Sequence, residues 1–215
     1  MGLNASSRDV TDVRVGSTAI EQVFAGNIEV WRRLHNWSQT NQSTTIAVPT
    51  WATYVDIVAL GGGGSGSGGS GTAPLKGDGG EAGTFASQSH PVAPGQSMTI
   101  TIGQGGAQVG KETDGRRGGD TTVTIGTTTL TAAGGAGGSG YAGGGGASPG
   151  STVFTPTTGS VKDTTTFTGG GTAGTDTDGK TPGGGGGPGS GGIFGAGKPG
   201  RAGAPGTVWY RFRSY

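Results

Sequence analysis

The chain has 215 residues, of which 53 are glycine and 10 proline, with a net charge of +1 and no cysteine. That length suits one domain with a small appendage. The missing cysteines exclude a disulfide framework and thiolate metal sites, and the scattered Lys and Arg form no nucleic-acid footprint. A hydrophobic content of 29% beside so much glycine is ordinarily the mark of disorder. The near-zero net charge and clean strand patterns between the glycine runs argue for a folded chain instead.

In chain order, residues 1–11 are polar and read as a tail or contact arm. No basic region followed by an apolar run is visible there, so no signal peptide is expected. Gly2 with Ser6 fits a myristoylation pattern that recurs by chance. Asp12–Val15, Thr18–Phe24 and Ile28–Trp31, separated by Gly16-Ser17 and Gly26-Asn27, predict a β unit of two or three short strands, and Gly26-Asn27 is hairpin-turn chemistry because both of its residues tolerate positive φ. A lone hairpin is marginal in water, so this unit should pack on its own domain or on a neighbouring subunit. Arg32-Arg33 and the polar run to Gln42 read as a connector. The expected division is an N-terminal module over 1–35 and a glycine-rich β domain over 36–215.

From Thr44 the period becomes two. Ile46 and Val48 lead to Pro49, Trp51 sits in a turn, and Val55, Ile57 and Ala59 share one face opposite Tyr54, Asp56 and Val58. All but three of the glycines follow Leu60. Thr84–Gln88 reads as a short strand, and His90-Pro91 as a turn. Met98, Ile100 and Ile102 alternate with threonine behind the Pro94-Gly95-Gln96 turn, and Thr122–Thr131 reads as a hairpin around Gly126. A Thr-rich insert carries Phe154, Val161 and Phe167 between glycine runs at 134–146 and 183–192. Glycine then recurs at 197, 200, 203 and 206, and Thr207–Tyr215 reads as a closing strand. No segment shows helical spacing of apolar residues over ten or more positions. The fold class is all-β: a small hairpin module, then a β-sandwich-like domain with extended, polyglycine II-like loops.

Glycine in an ordered element costs roughly 0.5–1 kcal/mol relative to alanine, and each internal hydrogen bond returns only about 0.5–1.5 kcal/mol net. Glycine runs therefore order only where backbone-to-backbone hydrogen bonding is dense and a conventional β core holds their ends. A three-residue-per-turn helix lets every third glycine face a neighbour. Collagen is the rival architecture, but a strict period of three lasts only a few triplets here.

Several motifs match chemistry only on paper. Gly174–Thr181 fits the phosphate-loop pattern, yet Pro182 and five glycines follow where a helix must begin. Gly66, Gly68 and Gly71 mimic a dinucleotide fingerprint without its helix. Asp176, Asp178 and Gly179 resemble part of a calcium loop lacking its later bidentate acid, and whether they bind a cation is left open. His35 and His90 have no second ligand nearby, so no zinc site is read. A Ser-His-Asp site is disfavoured, and no catalytic, cofactor or metal residue is expected. Sequons at Asn4, Asn36 and Asn41 matter only in a secreted eukaryotic protein. Tyr141, Phe154, Phe167 and Phe194 stand in glycine- or threonine-rich loops. Such aromatics suit stacking on sugar rings or anchoring a protein contact; the competing reading packs each against its own loop.

The N-terminal segment Asp12–Trp31 resembles the short β module of minor tail proteins of actinobacteria-infecting phages. From about Trp37 the chain resembles their glycine-rich domain. The matching features are Tyr54–Leu60 running into Gly61–Gly64, Pro94-Gly95-Gln96 before Met98–Gly103, Gly118-Gly119-Asp120, and the aromatic-basic strand after Gly206. The resemblance implies a virion protein at the tail tip that adheres to or recognises the host surface. Its expected partners are other phage tail proteins, a host-envelope glycan or protein, and further copies of itself with a trimer favoured. It supplies no catalytic residues, so no enzyme activity is expected; the scattered charges argue against a nucleic-acid partner, and no apolar run approaches the ~20 residues of a membrane span. The alternative is a purely structural tail-tip subunit; an ice-binding or matrix role comes third, against the irregular Thr and Ala spacing.

Overall fold

The computed structural model describes residues 13–20, 22–32, 36–141, 153–156, 165–171 and 173–213. Its strands are β1 (Val13–Val15), β2 (Thr18–Ile20), β3 (Gln22–Ala25), β4 (Ile28–Arg32), β5 (Ser38–Thr40), β6 (Thr44–Ala47), β7 (Tyr54–Leu60), β8 (Phe85–Pro91), β9 (Ser97–Thr101), β10 (Thr121–Ile125), β11 (Thr128–Ala132), β12 (Val153–Phe154), β13 (Phe167–Thr168) and β14 (Thr207–Arg213). Among the described residues there is no helix, so the protein is all-β. The N-terminal unit comprises two hairpins, β1–β2 and β3–β4, turning at Gly16 and Gly26 with φ of 64° and 63°.

Two four-stranded antiparallel sheets follow, ordered β5-β14-β7-β8 and β11-β10-β9-β6. Strand period explains their packing. Val55, Ile57 and Ala59 of β7 join Val208 and Phe212 of β14, Met98 and Ile100 of β9, and Val123 and Ile125 of β10 in one buried core. Strand β9 shows the alternation most cleanly, with Met98 and Ile100 buried between exposed Ser97, Thr99 and Thr101.

Two local expectations change. The polar connector contains β5, which pairs with the middle of β14 through Val208↔Thr40 and Tyr210↔Ser38. Gln39 and Thr40 serve there through hydrogen bonds to Thr207 rather than through apolar burial. His90-Pro91 lies in β8 rather than a turn; β8 is an edge strand, where a missing proline N–H is tolerated. The second face of β7 is covered as well, because Asp56, Val58 and Leu60 are buried like their neighbours. Arg211 and Arg213 cover Asp56, and the described part of the Thr-rich insert adds an aromatic layer on this side of the sheet. Phe154 stacks on Phe85 at 5.1 Å, and Phe167 packs against Trp209 at 5.3 Å and Trp37 at 4.8 Å.

Leu60 runs directly into the glycine lattice. Residues 61–70 are all buried and form a central extended run whose N–H groups point in three directions by turns. Those of Gly61, Gly64, Ser67 and Ser70 donate to the carbonyls of Thr84, Glu81, Asp78 and Leu75. Gly62, Ser65 and Gly68 donate to Gly119, Arg116 and Thr113. Gly63, Gly66 and Gly69 donate to Ala204, Arg201 and Lys198, and all ten bonds span 2.8–3.1 Å. Partner numbers fall by three as donor numbers rise by three, so these three neighbours run antiparallel in three-residue-per-turn register.

Three parallel neighbours supply the complementary donors. Gly186, Gly189 and Gly192 donate to the carbonyls of Gly64, Ser67 and Ser70; Gly135 and Gly138 donate to Gly62 and Ser65; Gly106 donates to Gly63. The six neighbours also bond to one another around the ring, in the order 103–109, 198–206, 183–192, 77–84, 133–138 and 113–119. Gly203 N–H to Gly106 C=O, Arg201 to Gly187, Gly80 to Gly186, Glu81 to Ala136, Gly118 to Gly135 and Gly119 to Gln104 close it. The G-x-x period now has a cause: a Cβ at Gly197, Gly200, Gly203 or Gly206 would strike the carbonyls of Ser70, Gly66, Gly63 or Leu60. Glycine is present because the chains approach too closely for any other residue.

Candidate functional site

The sheets hold one end of the lattice, where β7 enters and β14 leaves. Ten residues at about 3.1 Å each carry the central run roughly 31 Å away from them. Three loops, 71–76, 110–113 and 192–197, meet at that far end. Gly195 donates to the Gly71 carbonyl at 2.7 Å, and Gly71 donates to Oε1 of Glu112 at 2.7 Å. Lys111 Nζ donates to the Gly195 carbonyl at 3.2 Å. This junction leaves Phe194 98% exposed, with Ile193 and Leu75 about half-exposed beside it. Phe194 has φ of 56°, a left-handed conformation that costs an L-residue about 1–2 kcal/mol.

Carboxylates close the flanks of the lattice by accepting backbone N–H groups that the ring leaves over. Asp120 accepts from Gly134, Asp114 from Gly140, Asp176 from Ser190 and Asp178 from Ala202. The Gly134 N–H, and then the Arg117 guanidinium, hold the Asp120 carboxyl below its ordinary value. Burial pushes Asp176 up, but hydrogen bonds from Lys198 and Ser190 outweigh it and the group also lies low. Asp176 and Asp178 thus face Lys198 at 2.8 Å and Arg201 at 3.2 Å. Among the described residues no group of three or more His, Cys, Asp or Glu is placed to hold a metal ion. The phosphate-loop lookalike is a stretch of outer lattice: Gly179 N–H bonds to Ala202, and Gly187 N–H bonds to Thr177.

The four aromatics singled out from sequence occupy three places. Phe194 crowns the tip. Tyr141 is half-exposed beside Gly140, whose carbonyl accepts from Ser67 Oγ at 2.6 Å, partway along the lattice. Phe154 and Phe167 lie on the outer face of the β5-β14-β7-β8 sheet, and Phe167 is buried. Sequence reasoning missed Leu75, Ile193, Lys111 and Glu112 at the tip. An Ile-Phe pair between glycines and a Leu after proline were the available signals.

A second cluster lies beside the aromatic layer. Buried Asp56 accepts from Arg211 Nε at 3.0 Å and Arg213 Nε at 3.0 Å, and Arg213 also donates to Ser89 Oγ at 2.7 Å. Arg211 stacks over Trp37 and Arg213 over Tyr54. Every charge is opposed or stacked, so the cluster ties β14 to β7.

Fold and tip together define an all-β protein built on a polyglycine-type lattice that ends in presented loops. The model of a family described as a glycine-rich domain matches residues 38–213, and the chain belongs to that family. The match runs from the first residue of β5 to the last of β14. A search of curated proteins found no match. No helix among the described residues is long and apolar enough to cross a membrane.

Proposed function

We propose that the chain is a phage tail-tip protein whose glycine-rich domain adheres to the host envelope, with the N-terminal hairpins as its attachment to other tail subunits. The observation that carries this reading is the tip itself. A lattice some 31 Å long holds three loops together, and its end carries a 98% exposed phenylalanine in a strained backbone conformation. Stored strain at an exposed aromatic is a pointer to function. The resemblance to minor tail proteins supplies the setting. Binding of the purified chain to actinobacterial host cells or cell-wall fragments tests it: micromolar or tighter binding is expected, and none at that concentration overturns it.

A second reading, a purely structural tail-tip subunit, draws on Val15 and Phe24, which are 71% and 54% exposed on the N-terminal hairpins and fit burial against a neighbour. Virions carrying Phe194→Ala separate the two. Adhesion predicts particles that assemble and adsorb poorly, whereas an assembly role for the tip predicts particles that fail to form.

A further inference from the structure

We infer that the tip engages the apolar–polar boundary of an anionic lipid layer, with Phe194, Ile193 and Leu75 entering it and Lys76, Lys111 and Lys198 around them. This rests on the host-adhesion reading and names the chemistry of the surface. The apolar side chains stand on two loops held against each other, since a Cβ at Gly191 would strike the Leu75 backbone. Ile193 and Phe194 follow directly, 52% and 98% exposed. A rigid projecting loop of this kind can insert without unfolding, which amphipathic interfacial segments do by burying one face about 5–10 Å deep.

The charges around it match an anionic surface. The three loops, with the residue that follows each, carry three lysines against two acids, and both acids, Glu112 and Asp114, accept backbone N–H groups, from Gly71 at 2.7 Å and from Gly140 at 2.8 Å. Lys111 reaches the Gly195 carbonyl at 3.2 Å, which holds its ammonium beside Phe194 while two of its N–H groups stay available. Lys198 shares its charge with Asp176 at 2.8 Å, so Lys76 and Lys111 are the stronger contributors.

Other surfaces fit less well. Sugar recognition needs several hydrogen-bonding side chains converging beside the stacked ring; the Lys111 ammonium is one such group, Glu112 is taken by the Gly71 N–H, and Ile193, Gly195 and Ala196 bring none. A standard protein interface uses roughly 20–30 residues a side, more than these three short loops present.

Vesicle sedimentation of the full chain tests the inference, with phosphatidylglycerol/phosphatidylcholine vesicles against phosphatidylcholine alone. Binding to the anionic vesicles that weakens with salt is expected, and Phe194→Asp should reduce it roughly tenfold or more. In Phe194→Trp the added emission should shift to the blue on vesicle binding. No binding to anionic vesicles, equal binding by Phe194→Asp, or a tip tryptophan that stays in water would each overturn the inference. So would Phe194-dependent binding to lipid-free wall saccharide in its place. Whole-cell binding measured alongside separates the two claims: cells bound without vesicles sinks the lipid assignment alone, and neither bound sinks the adhesion reading too.

Discussion

Gly66 lies in the middle of the central run, where an alanine methyl would meet the neighbouring run 183–192. Its carbon would sit 2.6 Å from the Gly187 carbonyl carbon and 3.0 Å from the Pro188 nitrogen, against ordinary contacts of 3.4 Å or more. The Gly187 carbonyl oxygen would be nearer still, so relief requires that run to recede by at least about 0.8 Å. The bonds that bind it to the central run on either side, Gly186 to Gly64 at 2.8 Å and Gly189 to Ser67 at 2.9 Å, would stretch beyond hydrogen-bonding range. Two buried bonds lost at about 1–2 kcal/mol each, less roughly 0.4–1 kcal/mol regained from the stiffer unfolded chain, leaves Gly66→Ala destabilised by about 2–3 kcal/mol. Gly171→Ala is the control, because a Cβ there meets nothing within 4 Å. It should be neutral or stabilising by up to roughly 0.4–1 kcal/mol. Urea denaturation of the two variants and the parent measures the difference. Equal stability for Gly66→Ala and Gly171→Ala would refute close packing of the runs.

Asp56→Leu removes the acceptor for two guanidinium groups at a site 2% exposed, and should lower stability by about 3–5 kcal/mol in the same assay. Phe167→Ala should cost about 3–5 kcal/mol, since the ring is buried against Trp37 and Trp209. Because Asp120 and Asp176 lie below their ordinary value near 3.8, their contribution is complete above that value and is lost as the pH falls through their depressed values. The melting temperature of the parent should therefore fall more steeply below about pH 4 than that of Asp120→Asn/Asp176→Asn, and matching acid profiles would contradict the capping role.

The sheets were legible because β7, β9 and β14 carry period two with little ambiguity. Strand β5 was not, since Ser38-Gln39-Thr40 joins its sheet by backbone and side-chain hydrogen bonds alone. The lattice was legible as a need for dense backbone bonding, and visibly so only at 197–206, where one glycine in three faces the centre. In the central run the same rule hides behind serines. Ser65 Oγ accepts from Arg116 N–H at 2.7 Å and Ser67 Oγ from Asp78 N–H at 2.7 Å, so these side chains fill places where a small hydroxyl still fits. The prolines carried a signal as well. Pro199 and Pro205 share a three-fold row with Ala202, whose N–H turns outward to Asp178, so neither removes a bond from the ring. The tip was half legible: Phe194 stood out, whereas Lys111, Glu112 and Leu75 reach it only through the lattice register, which no local pattern reveals.

Amide hydrogen exchange over residues 61–70 tests the lattice most directly. These ten amides lie in no helix or sheet, yet each donates to a neighbouring run and each residue is buried. The lattice predicts protection comparable to the core strands β7 and β9, lost only in global unfolding. Exchange across 61–70 at the rate of an unstructured glycine chain would contradict it.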